Sequence, residues 1–247
     1  MAFDDFQNQR APGRTGAITA DTLYDAGLRQ HMLGIYNYMF AGLGLSGAVA
    51  YLLMQTGAST LFFTAPGQFT PLGWVALFAP LGLLLLASFN ARRLSTGATH
   101  AIYWSVAALQ GVGLAVLFQA FTGQSIAQIF FVTAAAFGAL SLFGYTTKRS
   151  LSGMSTFLLV GLIGVIIAFI VYMFVQSSLL QFVASVIGVL VFAGLTAFDT
   201  QRLKTEYIAG VEGEIAMKAQ VWGALSLYLN FINLFQLLLS LFGQREE

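Results

Sequence analysis

The sequence predicts an all-α membrane protein in which seven transmembrane helices form one bundle and the last helix is central, enclosed by the other six. Three observations support this fold class. Of the 247 residues, 57% are hydrophobic and 9% are charged, whereas a soluble domain carries about 25% charged residues. Seven apolar segments are long enough to cross a bilayer. The last of them carries a stripe of polar side chains, which must be hidden from lipid.

Charge and composition argue against several other classes of protein. The net charge of +1 gives no argument for a nucleic-acid partner. Neither Walker, Rossmann nor zinc-ligand spacing is visible, and cysteine is absent. We therefore expect no cofactor, no metal site and no enzyme activity.

The chain divides into three parts. Residues 1–30 are polar and charged, and we expect them to form a cytoplasmic N-terminal arm. Residues 31–243 form the predicted transmembrane domain, and residues 244–247 form a short C-terminal tail.

Each predicted span can cross about 30 Å of hydrocarbon at a rise of about 1.5 Å per residue. Most connections are short, so we expect successive helices to be antiparallel neighbours. The connection at 201–219 is longer and charged. The predicted spans cover residues 31–54, 71–90, 99–120, 125–146, 156–176, 179–200 and 220–242.

The basic residues predict the orientation in the membrane. Ten of the eleven Lys and Arg residues fall on one side, and only Arg245 falls on the other. The positive-inside rule then places the N-terminus in the cytoplasm and the C-terminus outside. A six-span alternative, in which the last segment is re-entrant, would return the C-terminus to the cytoplasm; the full length of that segment favours seven spans. The ten residues are Arg10, Arg14, Arg29, Arg92, Arg93, Lys148, Arg149, Arg202, Lys204 and Lys218.

The polar stripe of the last span consists of Ser226, Asn230, Asn233, Gln236 and Ser240, at spacings of 4, 3, 3 and 4. At about 100° per residue these side chains share roughly a third of the helix circumference. An uncompensated amide in hydrocarbon costs several kcal/mol. The stripe should therefore face protein or water, which makes this helix central.

Three pairs of small residues have the four-residue spacing that lets transmembrane helices approach closely. We interpret them as packing positions. The pairs are Gly42 and Ser46, Ala134 and Gly138, and Gly164 and Ala168.

Asp199 is the one acidic residue within the predicted spans. One interpretation is an interfacial residue about one turn from Arg202 and Lys204, which solvate it. The other is a buried carboxylate in a conduction pathway, because ionisable groups within spans usually pair or mark such a route. Arg92 and Arg93 emerge on the same side and are the natural counter-charges.

Two motifs carry a resemblance to a known family. Ala-Phe-Asp-Thr-Gln-Arg-Leu-Lys at 197–204 and Leu-Ser-Leu-Tyr-Leu-Asn-Phe-Ile-Asn-Leu-Phe at 225–235 resemble the signature of the Bax inhibitor 1 family, in its bacterial branch. The resemblance in layout covers residues 31–243. It implies seven helices with the last enclosed by the other six. It also implies a pH-sensitive calcium leak in some members and modulation of a membrane-anchored protease in others.

In the mechanism that the resemblance implies, two aspartates on the last two spans share a proton, and an arginine near the end of the second span latches them. The first aspartate corresponds to Asp199, and the arginine corresponds to Arg92, with Arg93 adjacent. The second aspartate corresponds to Asn230. Two close carboxylates can share a proton near neutral pH, whereas Asp and Asn cannot. The di-acid pH sensor is therefore in question in this chain.

The predicted boundaries leave one conflict. Asn230 lies twelve residues beyond Lys218, or about 18 Å along a helix, whereas Asp199 lies about one turn inside the membrane. For the two side chains to meet, the last helix must begin well below the inner interface, or the sixth must continue past Asp199. The long connection at 201–219 allows either.

The sequence and the resemblance together favour a passive, pH-modulated leak for cations in the bacterial inner membrane, with Ca²⁺ as the ion that the resemblance implies and an Asp–Arg latch as the gate at the cytoplasmic side. Asp199 is the expected gate carboxylate, Arg92 its latch, and Asn230 and Asn233 the amides that face the pathway. The alternative is a non-conducting, stress-protective regulator that docks its spans or N-terminal arm against a membrane-anchored protease. A secondary transporter is disfavoured because no inverted repeat is visible.

Overall fold

The computed structural model describes residues 13–65, 68–90, 93–211 and 213–246. Seven of the described helices are long and apolar enough to cross a membrane, which confirms the predicted fold class. The helices are α1 (Gly13–Gln55), α2 (Pro71–Asn90), α3 (Thr96–Ala120), α4 (Gly123–Thr146), α5 (Ser155–Val175), α6 (Ser178–Thr205) and α7 (Glu214–Phe242).

The first helix differs most from its predicted span, because α1 begins at Gly13 rather than near residue 31. The part of the predicted arm before Gly13 lies outside the described residues. Asp25 and Arg29, four residues apart, lie on one face of this first part of α1. The ring of Tyr24 also lies 5.4 Å from that of Tyr207, just after α6. The start of α1 is therefore a helix that packs against the α6–α7 connection.

The last helix is the most buried of the seven. In its most apolar stretch 56% of the residues are buried, against at most 33% in any other span. α7 packs mainly against α1, α3, α4 and α6, while α2 lies chiefly on α3 and α5 on α6. The largest fully buried side chains include Tyr103, Tyr228, Ile35, Met39 and Leu227. The apolar core thus surrounds α7, as its polar stripe predicts.

The outer helices expose apolar side chains over much of their length. Phe89 on α2 and Phe157 on α5 are 84% and 72% exposed. Exposed apolar surface of this extent is unusual on a soluble protein. It is the surface that lipid tails solvate, so α2 and α5 provide the lipid-facing exterior.

One end of the bundle, called the basic end below, carries the described basic residues except Arg245. It holds the beginnings of α1, α3, α5 and α7 and the ends of α2, α4 and α6. The basic side chains in this region are Arg29, Arg93, Lys148, Arg149, Arg202, Lys204 and Lys218.

The opposite end is closed by two short backbone pairings. β1 (Phe63–Ala65) pairs with β2 (Gln68–Phe69) in the α1–α2 connection. The C-terminal tail pairs with the α3–α4 connection through an antiparallel bridge between Arg245 and Phe121. The last segment therefore crosses the whole bundle, and the six-span alternative with a re-entrant segment is wrong.

Candidate functional site

The site lies where α6 and α7 approach each other near the basic end. α6 continues to Thr205 and α7 already begins at Glu214, so both helices extend further than predicted. Their connection turns at Gly210 and Gly213, whose φ angles of 82° and 69° favour glycine. The two extensions resolve the conflict in depth, because they bring Asp199 and Asn230 to the same level.

Asp199 is buried, with 6% of its surface exposed, and its carboxylate is fully engaged. Oδ2 accepts a hydrogen bond from Ser226 Oγ over 2.6 Å and another from Asn230 Nδ2 over 2.8 Å. Ser226 and Asn230 are four residues apart and so share one face of α7. The first half of the predicted polar stripe thus faces the carboxylate.

The positive charge beside this carboxylate belongs to Arg202. Its Nη2 lies 3.0 Å from Asp199 Oδ1, one helical turn away on α6. The same nitrogen donates to Ser226 Oγ over 3.4 Å. Arg202 Nε lies 3.8 Å from Oε1 of Glu206, the residue that follows α6. Arg202 therefore stands between two carboxylates, and the pair with Asp199 is the shorter.

The two arginines predicted as counter-charges are placed differently. Arg92 lies outside the described residues. Arg93 is exposed and forms no ion pair with the described part of the chain. Among the described residues, the arginine that pairs with Asp199 is therefore Arg202. The sequence indicated Arg202 only as a neighbour that solvates Asp199.

A cavity of about 550 Å³ opens beside Arg202 at the basic end. Its walls come from α1, the end of α6, the α6–α7 connection and the start of α7. Arg202 lines the cavity and also contacts Asp199, which does not line it. The polar lining residues are Gln30, His31, Arg202, Glu206, Tyr207 and Gln220.

A line of hydroxyl groups, which the sequence reasoning missed, lies next to Asp199. Thr200 Oγ1 donates to the carbonyl oxygen of Thr196 over 2.8 Å. It therefore accepts from Ser141 Oγ, 3.0 Å away, and Ser141 accepts from the hydroxyl of Tyr36. These bonds join α1, α4 and α6. Thr196 and Thr200, four residues apart beside Asp199, were the available signal in the sequence.

The second half of the stripe does not reach the carboxylate. Asn233 is half-buried, and its Nδ2 donates to the carbonyl oxygen of Leu229 in its own helix over 2.7 Å. Ser240 accepts from Gln181 on α6 over 3.3 Å. Ser226, Asn230 and Ser240 thus contact α6, as predicted for the stripe, whereas the Asn233 amide bonds to its own helix. Within the stripe, Ser226 and Asn230 contact Asp199.

Aromatic rings of α4 pack against α7 next to Asn230. Phe231 lies 5.5 Å from Phe137 and 5.6 Å from Phe130, ring centre to ring centre. On another face, the Tyr228 hydroxyl lies 2.7 Å from Ser46 Oγ. Buried apolar packing continues along α7 beyond Asn230, toward the opposite end, at Ile232, Phe235 and Leu239.

Comparison with known proteins gives consistent matches over nearly the whole chain. The family described as inhibitor of apoptosis-promoting Bax1 matches residues 28–247. A protein of Caulobacter vibrioides is 49% identical over 94% of this chain and 95% of its own length. The inner membrane protein YbhL of Escherichia coli K12 is 41% identical over 89% of this chain and 94% of its own.

A third relative, the protein RP147 of Rickettsia prowazekii, is 39% identical over 91% of this chain and 93% of its own. The matched residues include both motifs and all seven spans. The chain is therefore an integral membrane protein that belongs to the Bax inhibitor 1 family.

Proposed function

We propose that this protein is a passive, gated leak for cations, with Ca²⁺ as the permeant ion, in which Asp199 is the gate carboxylate and Arg202 is its latch. One observation carries the proposal. The buried Asp199 is paired with an arginine that also lines a cavity at the basic end. A carboxylate buried within a membrane bundle usually marks an ion pathway. Arg202 takes the part that the resemblance assigned to Arg92.

In the closed state the guanidinium of Arg202 is paired with the carboxylate of Asp199, so a permeating cation cannot bind that carboxylate. Glu206 offers Arg202 a second partner on the cavity side, 3.8 Å from Nε. A turn of the guanidinium toward Glu206 opens the latch and exposes Asp199 to the cavity. An unpaired carboxylate in a low-dielectric setting then attracts a cation strongly.

The side chains around Asp199 would bind a cation weakly enough for it to be released and pass on. The carboxylate, the Ser226 hydroxyl and, after rotation, the amide oxygen of Asn230 are the hard oxygen ligands that Ca²⁺ prefers. Only one of the three is charged, and conduction requires binding weak enough for release. Asn233 bonds to its own helix, so we leave it outside the gate.

The basic end faces the cytoplasm in this proposal, because positively charged residues are retained on that side of bacterial inner membranes. The cavity lined by Arg202 is then a cytoplasmic vestibule, the N-terminus lies inside and the C-terminus outside. The buried apolar packing along α7 beyond Asn230 forms the closed outer half of the pathway.

Ca²⁺ flux into dye-loaded liposomes that hold only this protein tests the proposal. The wild type should admit Ca²⁺ above the rate of empty liposomes. Asp199→Asn should lower that flux toward the empty rate, because the permeant ion loses its charged ligand. Asp25→Asn removes an exposed acidic group from α1 and should leave the flux unchanged. A wild type that matches empty liposomes would refute the leak.

The second candidate is a non-conducting regulator of a membrane-anchored protease. The observation that favours it is the extension of α1 beyond its span, where Leu23 is 73% and Tyr24 is 42% exposed. Exposed apolar side chains on a helix are a suitable docking surface. Such a regulator would give no flux in liposomes that hold only this protein. It would no longer bind the protease when the exposed residues of α1 are changed.

A further inference from the structure

A second cavity lies between α1 and α4, on the flank of the bundle. Its volume is about 500 Å³, and we call it the α1–α4 groove. Apolar side chains form most of its wall: Met32, Leu33, Met39, Phe40, Phe137 and Leu142.

The groove opens sideways, toward the surface that lipid covers. Leu33, Phe40 and Leu142 are each at least half exposed at its rim. It runs from Arg29 to Phe40 on α1, eleven residues or about 16 Å along the helix. Half the hydrocarbon thickness of a bilayer is about 15 Å. The length of the groove along α1 therefore matches the hydrocarbon thickness of one lipid leaflet.

Positive charge marks the end of the groove that lies at the basic end of the bundle. Arg29 lines the groove, is exposed, and forms no ion pair with the described residues. Lys204 Nζ donates to the carbonyl oxygen of Tyr145 over 2.8 Å, and Tyr145 also lines the groove. The lining includes no acidic residue, and Asp25 lies one turn further out on α1. This end is thus complementary to an anion.

The inner wall of the groove is polar and touches the candidate gate. Tyr36 and Ser141 line the groove, and Ser141 donates to Thr200, the residue after Asp199. Phe231, the residue after Asn230, lines it as well. A molecule in the groove would therefore contact the same wall that holds Asp199 and Asn230 in place.

We propose that the α1–α4 groove binds one anionic phospholipid from the leaflet at the basic end. Its acyl chain lies between α1 and α4, and its phosphate lies at Arg29, with Lys204 nearby. The apolar lining, the leaflet-deep length and the unpaired arginine together fit this occupant. A zwitterionic lipid carries the same phosphate beside a cation of its own, which weakens its attraction to Arg29. A second copy of the chain would need an acidic group to meet Arg29.

Native mass spectrometry of the full chain in detergent, with equal phosphatidylglycerol and phosphatidylcholine added, tests this site. The wild type should retain one phosphatidylglycerol with roughly fivefold preference, as one basic residue at an anionic surface provides. Gly138→Phe should abolish the retention. Gly138 lines the groove, and a side chain there extends into open space. Gly164→Phe, at an exposed and equally open position on α5, is the matched control and should retain the lipid.

A second pair of variants separates recognition of the lipid headgroup from binding of the lipid's acyl chain. Arg29→Gln should keep a bound lipid but lose the preference for phosphatidylglycerol, while Arg93→Gln should keep both. Since Arg29 is exposed, this pair decides the question even if Gly138→Phe fails to fold. Equal retention of both lipids by the wild type would overturn the proposal. So would retention by Gly138→Phe, or a dimer that replaces the bound lipid.

Discussion

Asn230 on α7 donates a hydrogen bond from Nδ2 to Asp199 Oδ2 on α6 over 2.8 Å. Both side chains are buried, so the bond joins two consecutive spans inside the bundle. An amide has no proton to release near neutral pH, whereas two close carboxylates share a proton there and change their charge. The pair thus joins the two spans through one carboxylate and one amide, where the resemblance implies two carboxylates.

Asn230→Asp should therefore make the leak steeply dependent on pH. Between about pH 6 and pH 8 the new carboxylate pair would lose its shared proton. The added negative charge would hold Arg202 more firmly and lower the flux as the pH rises. The wild type should change less over the same range. The measurement is Ca²⁺ flux into dye-loaded liposomes at stepped pH.

Asn233→Asp is the matched control, because it places the same charge on α7 at a side chain that bonds to its own helix. It should not introduce the steep fall in flux. If the wild type already switches as steeply as Asn230→Asp, Asn230 is not the missing half of a proton-sharing pair.

Arg202→Ala should raise the leak. The substitution removes the cation that lies 3.0 Å from Asp199 and leaves a buried carboxylate without its ion pair. Because the Arg202 side chain is 40% exposed, solvent screening reduces the loss to about 1–2 kcal/mol. Since every 1.4 kcal/mol is a factor of ten, a rise of roughly tenfold is expected in liposome flux. Arg93→Ala removes an exposed arginine and should change nothing.

The double variant Asp199→Asn with Arg202→Ala tests whether the two residues act as a pair. It should have the low flux of Asp199→Asn, since a latch has no effect once the gate carboxylate is gone. Strict additivity of the two changes would indicate separate roles. An unchanged leak in Arg202→Ala would exclude Arg202 as the latch.

The fold could be predicted from the sequence because its signals are strong and local. Seven long apolar segments required seven spans, and amides at Asn230 and Asn233 required the last helix to be central. The contact between Asp199 and Asn230 was available from the resemblance, since the two motifs mark paired positions. Helix ends were less predictable, because polar residues at the basic end can continue a helix outside the membrane.

The latch residue was less predictable than the fold. The sequence placed Arg202 about one turn from Asp199 as a solvating neighbour, and Arg92 was the expected latch because the resemblance implies an arginine near the end of the second span. In the structure α6 continues to Thr205, so Arg202 lies one turn from Asp199 on the same helix. An ion pair of this kind depends on a helix boundary, which hydrophobicity alone does not fix.

The topology can be tested with alkaline phosphatase fusions, which are active only outside the cytoplasm. A fusion after residue 247 should be active, because the tail pairs with the α3–α4 connection at the end opposite to the basic residues. A fusion after Arg149 should be inactive, because that residue follows α4 at the basic end. The reverse pattern would invert the proposed orientation, and two inactive fusions would contradict seven spans.

Close helix packing gives the last prediction, because spacing identified only one of the three predicted glycines: a Cβ atom at Gly42 on α1 would overlap the Tyr103 hydroxyl on α3. Gly138 and Gly164 were predicted to let helices approach, yet a Cβ atom at either position would meet no neighbour within 4 Å. At Gly144 on α4 a Cβ atom would overlap the backbone of Ala197 on α6. The four-residue pattern does not say which face of a helix meets its neighbour.

Gly144→Ala should therefore destabilise the protein, whereas Gly138→Ala on the same helix should not. Overpacking of a buried contact costs about 1–3 kcal/mol, and each kcal/mol lowers Tm by roughly 2–4 °C in a chain of this size. The measurement is thermal unfolding of both variants in the same detergent. Because Ala197 lies two residues before Asp199, the shift of α6 that relieves the overlap should also disturb the Asp199–Asn230 bond. The Gly144→Ala protein should then leak more than Gly138→Ala in liposomes, and equal Tm values for the two variants would contradict the close approach of α4 to α6.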